Sequence, residues 1–176
     1  MSVKGQGTII LKKEREFWVK KVETREEQEV FVDCLREAHQ FLLSKQMPLW
    51  TSDMLQTKLL FREGVTGYLG YVGEEAASTM LLCDSDIEFW GEESEEDSAV
   101  YLHKFSVRRK FASTGIPEKM IDAACAMIRR MGKEYLRLDC RINRPALTGM
   151  YDRLGFERVM VRDFGYKVSA FYQKRV

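Results

Sequence analysis

The sequence predicts one α/β (α+β) domain on a mixed, mostly antiparallel sheet of about six to seven strands with a central parallel pair, flanked by about four helices. Residues 100–140 read as strand, helix and strand with short connections, which is typical of two parallel strands joined by a crossover helix. Alternating apolar positions in 68–83 and 157–173 indicate antiparallel hairpins. The chain has 176 residues, of which 45% are hydrophobic, so residues 1–176 can bury the core of a single domain.

Charge and hydropathy disfavour several classes of protein. The 28 Lys and Arg residues nearly balance the 27 Asp and Glu residues, which argues against a nucleic-acid partner or an anionic membrane surface. No apolar run reaches the length of a membrane span, and the first residues lack the apolar core of a signal peptide. We therefore expect a cytoplasmic protein with no membrane partner.

The cysteines and histidines predict neither a disulfide nor a metal site. Cys34, Cys83, Cys125 and Cys140 lie far apart within apolar or strand patterns, so we expect four buried thiols. With only two histidines and no paired ligand spacing, we expect no catalytic metal.

The first elements are two strands and a helix. Thr8–Leu11 is compatible with a short strand, and Glu16–Val22 has a clearer strand pattern. Thr24 and Glu27 then have the spacing of a capping box. The helix that they open has a broad apolar stripe, which predicts a buried face. Its members are Val30, Phe31, Cys34, Leu35, Ala38, Phe41 and Leu42. His39 lies beside this stripe and receives no functional role.

The next segments are a second helix, a hairpin and an acidic stretch. Pro48 and Trp50 end the first helix, and a second helix is expected to carry Met54, Leu55, Leu59 and Leu60 before Gly64. Tyr68–Val72 and Ala77–Cys83 then form a hairpin. Asp84–Asp97 is acidic but interrupted by Ile87, Phe89 and Trp90, which fits a solvated loop or a segment folded over a binding site.

The loop Arg108–Gly115 has the composition of an anion site. It follows a strand and precedes a helix expected over Ile116–Met131, whose free N–H groups and positive dipole end would face a phosphate. Gly115 permits a tight turn there. Arg108, Arg109 and Lys110 add positive charge that suits a polyphosphate.

The last elements are a strand, a helix and a hairpin. Tyr135–Cys140 completes the parallel pair, and polar residues follow at its carboxyl end, where ligands favour binding. Pro145 opens a helix that carries Tyr151 and ends at Gly155. A terminal hairpin completes the sheet.

These motifs resemble a known family. The strand LHKFSV, the loop ending in Thr114-Gly115-Ile116, Asn143 and Tyr151 within YDRLGF look like the acetyl-CoA-binding core of the GNAT superfamily of N-acetyltransferases. The family's loop pattern is Arg or Gln, two residues, Gly, one residue, then Gly or Ala. This chain has Ala112, Gly115 and Pro117 at those places and keeps only the central glycine.

The resemblance implies acetyl-CoA as co-substrate and no metal. The strand bearing Phe105 and Val107 would splay from its parallel neighbour and leave N–H groups for the pantetheine arm and the thioester oxygen. The pyrophosphate would bind the loop of Ala112, Ser113, Thr114, Gly115 and Ile116. Asn143 would orient the pantetheine or cap the following helix.

The resemblance also suggests an acid and a base. His103 lies two residues before Phe105, so strand periodicity predicts that both point to one face, and a neutral imidazole could deprotonate a substrate ammonium. A buried, hydrogen-bonded strand histidine is the alternative. Tyr151 would protonate the departing thiolate. Simple packing in the core is the alternative for this residue.

The expected acceptor is a primary amine of a small molecule, cationic and with an apolar or aromatic portion. Trp50 and Trp90 would line its pocket, and Asp139 would pair with the amine unless it forms an ion pair within the fold. A CoA-binding or regulatory module without turnover is the second function class. The sequence leaves a homodimer open.

Overall fold

The structure, a computed structural model of the chain, describes residues 16–94 and 98–176. The strands within these ranges are β1 (Phe17–Lys21), β2 (Val65–Val72), β3 (Glu75–Cys83), β4 (Ala99–Val107), β5 (Tyr135–Arg141), β6 (Glu157–Asp163) and β7 (Val168–Arg175). The helices are α1 (Arg25–Ser44), α2 (Thr57–Leu60), α3 (Ile87–Trp90), α4 (Ile116–Arg130) and α5 (Pro145–Arg153). Short 3₁₀ turns cover Ser52–Met54, Gly91–Ser94 and Arg109–Phe111. The strand predicted over Thr8–Leu11 lies outside the described residues.

The strands form one mixed sheet, as the sequence predicts. Its seven strands lie in the order β1-β2-β3-β4-β5-β7-β6, and β4-β5 is a parallel pair in an otherwise antiparallel sheet. The parallel ladder is short, because β4 and β5 pair only from Ala99 opposite Tyr135 to Tyr101 opposite Arg137. Beyond these residues the two strands separate, which opens the sheet at their carboxyl ends.

Each face of the sheet carries its own core. Helices α4 and α5 cover one face, where Leu102 and Leu138 meet Met120 and Ile121. Helices α1 and α3 cover the other, where Leu81 and Tyr101 meet Phe31 and Trp90. In β4, alternate residues therefore enter different cores.

Helix α1 begins as predicted but buries a slightly different face. Thr24 Oγ1 accepts from the Glu27 N–H, and the Glu27 carboxylate accepts from the Thr24 N–H, which completes the capping box. Val30 is 38% exposed and the prediction of its burial is wrong, since Val32 is fully buried instead. His39 is buried by packing.

Two other helix predictions need correction. The segment expected to form one second helix is a 3₁₀ turn followed by the single turn α2, and its Met54 and Leu59 are exposed. Helix α4 ends one residue earlier than predicted, and Met131 is 50% exposed. Gly132 then has a left-handed φ of 73°, which fits the C′ position.

The cysteine prediction is confirmed, because all four are free and buried. Among the described helices, none combines the length and the apolar character that crossing a bilayer requires.

Candidate active site

A one-residue bulge in β4 shapes the site. Ser106 pairs with Thr79, but His103 pairs with Leu81, so β4 has an extra residue between these pairs. Lys104 occupies the bulge with a left-handed φ of 48°, and its carbonyl accepts from Thr79 Oγ1 at 2.8 Å. The strand alternation therefore changes phase at Lys104.

The bulge separates His103 from Phe105. His103 lies opposite Leu81, which belongs to the core under α1 and α3. Phe105 and Val107 pack instead against the core under α4 and α5. The prediction that His103 and Phe105 share a face is therefore wrong, because the extra residue inverts the alternation between them.

Two cavities meet where β4 and β5 separate. The larger cavity, of about 690 Å³, lies between α1, the loop after β4 and the start of α5. The smaller cavity, of about 290 Å³, contains side chains of both sheet faces. Both are lined by Leu49, Trp50, Phe105 and Leu147, which form their common wall.

The larger cavity contains most of the residues predicted to bind the cofactor. Phe105, Val107, Ala112, Ser113 and Gly115 line it. Gly115, with a φ of 74°, is the N-cap residue of α4, so the free amides of the first turn lie at this wall.

Three predicted cofactor residues do not line the larger cavity. Ile116 is 2% exposed and belongs to the core. The Thr114 hydroxyl donates to the Phe111 carbonyl within its own loop. Asn143 is exposed, and the expectation that it caps α5 is wrong because Arg144 is the N-cap residue and no side chain caps this helix.

The cations at the larger cavity differ from those predicted. Arg108 Nε donates to Glu37 at 2.8 Å, and Lys110 pairs with Glu75, so both charges are compensated within the fold. The Arg109 guanidinium lies over the Phe41 ring at 4.3 Å and lines the cavity. Arg144 and Arg153, for which the sequence predicted no role, also line the cavity, from the α5 side.

In the smaller cavity, His103 is held by a partner that sequence reasoning missed. Its Nε2 atom lies 3.0 Å from Oδ2 of Asp86, whose side chain is only 7% exposed. The Asp86 N–H donates to Ser94 Oγ at 2.5 Å, and the Asp86 carbonyl accepts from the Trp90 N–H at 2.8 Å. The acidic composition of residues 84–97 was the available signal, but it does not distinguish Asp86 from its neighbours.

Tyr151 lines the smaller cavity from α5. Its ring packs edge-on against Phe156 and lies near Tyr172. Burial raises the pKa of the phenol well above its usual range, with smaller contributions from Cys140 and Asp139. The hydroxyl is thus protonated at neutral pH and can act as a proton donor.

Asp139 forms the internal ion pair that the sequence left open. Its Oδ2 atom lies 3.3 Å from Lys167 Nζ, and its side chain is 8% exposed. Lys167 Nζ also lies 3.8 Å from the centre of the Phe89 ring. Atoms of Asp86, His103 and Asp139 that could bind a cation lie within 4.8 Å of one another, but the Lys167 ammonium already neutralises Asp139.

The two tryptophans predicted to line the acceptor pocket, Trp50 and Trp90, lie in different environments. Trp50 lines both cavities, as expected of a residue beside the acceptor. Trp90 is 2% exposed and packs edge-on against Tyr101 and Phe171, so its prediction as a substrate residue is wrong. From the same segment it is Phe89 that reaches the smaller cavity. The acidic stretch is therefore neither simply a solvated loop nor folded as a whole over the site, because Trp90 is in the core and Phe89 lines the cavity.

Lys104 is a second residue of the smaller cavity that the sequence did not indicate. Its Nζ atom lies 5.4 Å from the centre of the Trp50 ring. Burial lowers the pKa of this lysine, since the charged form loses hydration. Cys140 lines the same cavity, but burial raises the pKa of its thiol to about 12, which argues against a thiolate nucleophile.

Comparison with known proteins settles the family. A family model described as "Acetyltransferase (GNAT) family" matches residues 11–156. The chain belongs to the GNAT acetyltransferase family. This confirms the resemblance drawn from the strand, loop and helix motifs.

Individual relatives agree with the GNAT assignment. "Uncharacterized N-acetyltransferase YesJ" of Bacillus subtilis (strain 168) is 33% identical over 97 residues, which are 53% of this GNAT chain and 53% of YesJ. The chain thus spans about half the length of this curated relative.

Two solved structures share the fold. A GNAT-family acetyltransferase from Listeria monocytogenes has a TM-score of 0.66 at 24% identity, over 91% of this chain and 95% of its own. A putative streptothricin acetyltransferase from Bacillus anthracis, solved in complex with acetyl coenzyme A, has a TM-score of 0.55 at 14% identity over 65% of this chain and 64% of its own.

Proposed function

We propose that the chain is an acetyl-CoA-dependent N-acetyltransferase that transfers an acetyl group to the primary amine of a small molecule by direct attack on the thioester. The observation that carries this proposal is the common wall of the two cavities at Trp50 and Phe105. A thioester held in the larger cavity would there meet an amine held in the smaller one. Family membership and the acetyl coenzyme A in a structural relative support this co-substrate.

The larger cavity has the features that a CoA pyrophosphate needs. The N-terminus of the 15-residue helix α4 presents free amides beside Gly115, and Arg109, Arg144 and Arg153 supply positive charge. Gly115 lines this cavity, and a Cβ atom added there would meet no atom within 4 Å.

The proton transfers can be assigned to two side chains. We assign the imidazole proton to Nε2, which lies 3.0 Å from the Asp86 carboxylate, so the Nδ1 atom of His103 keeps the lone pair that accepts a proton from the substrate ammonium. The neutral amine then attacks the thioester carbonyl carbon, the C–S bond breaks, and Tyr151 donates its proton to the thiolate. The second proton that the nitrogen loses as the amide forms restores the Tyr151 phenol. Backbone N–H groups of β4 beyond its pairing with β5 would stabilise the oxyanion.

The test is release of free thiol from acetyl-CoA across a panel of amines, with acetylated products identified by mass spectrometry. We expect amine-dependent thiol release. Binding of coenzyme A without thiol release for any amine would contradict the enzyme and favour a CoA-binding module on the same fold. Cytoplasmic location, a single domain over residues 1–176 and a possible homodimer stay predictions.

A further inference from the structure

The smaller cavity has more positive than negative side chains free to meet a ligand. Three cations line it, Lys104, Arg141 and Lys167, together with two carboxylates, Glu88 and Asp139. The Asp86 carboxylate lies against His103 and does not line the cavity. Lys167 and Asp139 neutralise each other at 3.3 Å. The remaining cations face the cavity without an acidic partner among the described residues, since no ion pair joins either of them to a carboxylate in residues 16–94 or 98–176.

Lys104 and Arg141 approach the cavity from two strands. Arg141 is the last residue of β5 and shares the strand face of Asp139, two positions earlier. Lys104 projects from the bulge of β4, between His103 and Phe105. Its only described partner is the ring of Trp50, on the wall between the cavities.

The ammonium of Lys104 loses hydration without forming a direct ion pair among the described residues. Burial is the largest influence on its pKa and lowers it, which means that loss of hydration disfavours the charged form. An anionic ligand would restore the missing interaction, because a buried ammonium is stabilised by pairing and hydrogen bonding.

A cationic acceptor is poorly matched to the same cavity. Lys167 already occupies the position that a substrate ammonium would take, against Asp139 and the Phe89 ring at 3.8 Å. Trp90, the other expected aromatic wall, is in the core. The expectation from sequence of a cationic acceptor therefore loses two of its supports.

We propose that the acceptor is an amine carrying an anionic group close to its nucleophilic nitrogen, as in an α-amino acid, and that Lys104 and Arg141 bind this group. The inference rests on the proposed acetyl transfer and names its substrate class. Because Lys104 lies beside the common wall, the anionic group would bind near the reacting carbonyl. Apolar and aromatic side chains, Trp50, Met54, Phe89 and Tyr166, leave room for an apolar substituent.

The experiment compares kcat/KM for matched acceptors: phenylalanine against phenethylamine, and leucine against 3-methylbutylamine. The wild type should favour the amino acid of each pair by about tenfold or more. Lys104→Met keeps the side-chain length without the charge, and should lower kcat/KM for the amino acids by about 10- to 100-fold while changing the decarboxylated amines by less than about threefold. Arg141→Gln should shift the preference in the same direction.

Lys58→Met is the matched control, since Lys58 is exposed on α2 and lines neither cavity. An α-aminophosphonate analogue of phenylalanine distinguishes a carboxylate from a phosphate-like group, and higher activity on it would assign the anionic group as the latter. A wild-type preference for the decarboxylated amines would overturn the proposal. So would an equal loss for both members of a pair in Lys104→Met, because that result assigns the lysine to the chemistry.

A binding measurement keeps the substrate class separate from the enzymatic activity. Calorimetric titration of the CoA-loaded protein with N-acetylphenylalanine and N-acetylphenethylamine requires no turnover. We expect tighter binding of the anionic product and loss of that difference in Lys104→Met with an intact melting transition. Equal affinity for both products in the wild type would overturn the anion site, whereas absent thiol release with a retained difference would overturn only the acetyl transfer.

Discussion

The Nε2 atom of His103 lies 3.0 Å from the Oδ2 atom of Asp86, and the carboxylate is the more buried partner, with 7% exposure against 26% for the imidazole. Asp86 is fixed by its backbone bonds to Ser94 and Trp90, so it orients the ring rather than following it. A carboxylate this close to Nε2 favours the tautomer with the proton on Nε2, which leaves a free lone pair on Nδ1. Asp86 thus acts as a positioning residue for the proposed base.

Asp86→Asn should therefore lower kcat by about 10- to 100-fold and leave the KM for acetyl-CoA within about twofold. The asparagine amide can donate to Nε2 and so favour the unproductive tautomer. His103→Ala should cost at least as much. Combining both changes should add little to the loss in His103→Ala, because the carboxylate acts through the imidazole. Multiplicative losses in the double variant would show that Asp86 acts independently of His103.

Tyr151→Phe removes the proposed acid and little else, since the ring and its packing against Phe156 remain. We expect kcat to fall by about 10- to 100-fold with coenzyme A affinity retained in calorimetry. Burial keeps the pKa of the phenol high, so wild-type activity should show no loss from Tyr151 ionisation up to about pH 9. Full turnover in Tyr151→Phe would assign the residue to packing alone.

Gly115→Val should weaken coenzyme A binding by about tenfold or more, because a β-branched residue is strained at the φ of 74° and its side chain enters the wall of the larger cavity. Gly132→Val is the matched control at the other end of α4. Gly132 has a φ of 73°, and an added Cβ meets nothing within 4 Å at either glycine. Both variants should lose thermal stability, but only Gly115→Val should lose calorimetric affinity for coenzyme A. Equal affinities would remove this loop from the binding site.

Glu27 makes folding stability dependent on pH. An ion pair with Lys20, then N–H donation from Glu23 and Thr24, lowers the Glu27 pKa from 4.5 to about 2. A lowered pKa in the folded state stabilises the protein above about pH 4.5, and this contribution disappears as the pH falls toward 2. Glu27→Gln should thus lower the free energy of unfolding by about 1 kcal/mol at pH 7.

Urea unfolding at pH 7 and at pH 3.5 measures this change in the free energy of unfolding. The difference between wild type and Glu27→Gln should shrink at the lower pH. Glu26→Gln is the control in the same helical turn, without the capping-box bonds, and should have a smaller effect at pH 7. A difference that grows on acidification would contradict the assigned role.

The features predicted correctly from sequence are those encoded within a few residues. The capping box of Thr24 and Glu27 needs a spacing of three, Pro145 suits the first turn of α5, and Gly132 fits the end of α4. These local signals locate the ends of helices. The strand, helix and strand pattern of residues 100–140 in turn predicts the parallel strand pair.

The features missed depend on contacts between distant segments. Arg108 is neutralised by Glu37, 71 positions away, so counting loop cations overstates the charge available to a phosphate. The pairing of Asp86 with His103 depends on how α3 folds back on β4. The bulge at Lys104 depends on the register between β3 and β4, where Thr79 bonds the Lys104 carbonyl. None of these has a local pattern that single-sequence reasoning detects.

The extra residue in β4 makes the two halves of one strand independent targets for selection. Substitutions before Lys104 alter residues such as His103 in the smaller cavity, while substitutions after it alter the packing of Val107 in the larger cavity and of Phe105 on the common wall. Deleting Lys104 would restore one continuous alternation in which Phe105 directly follows His103 and keeps its present face, opposite Met80. The extra residue therefore adds the Lys104 side chain to the smaller cavity without changing the face on which Phe105 and Val107 pack.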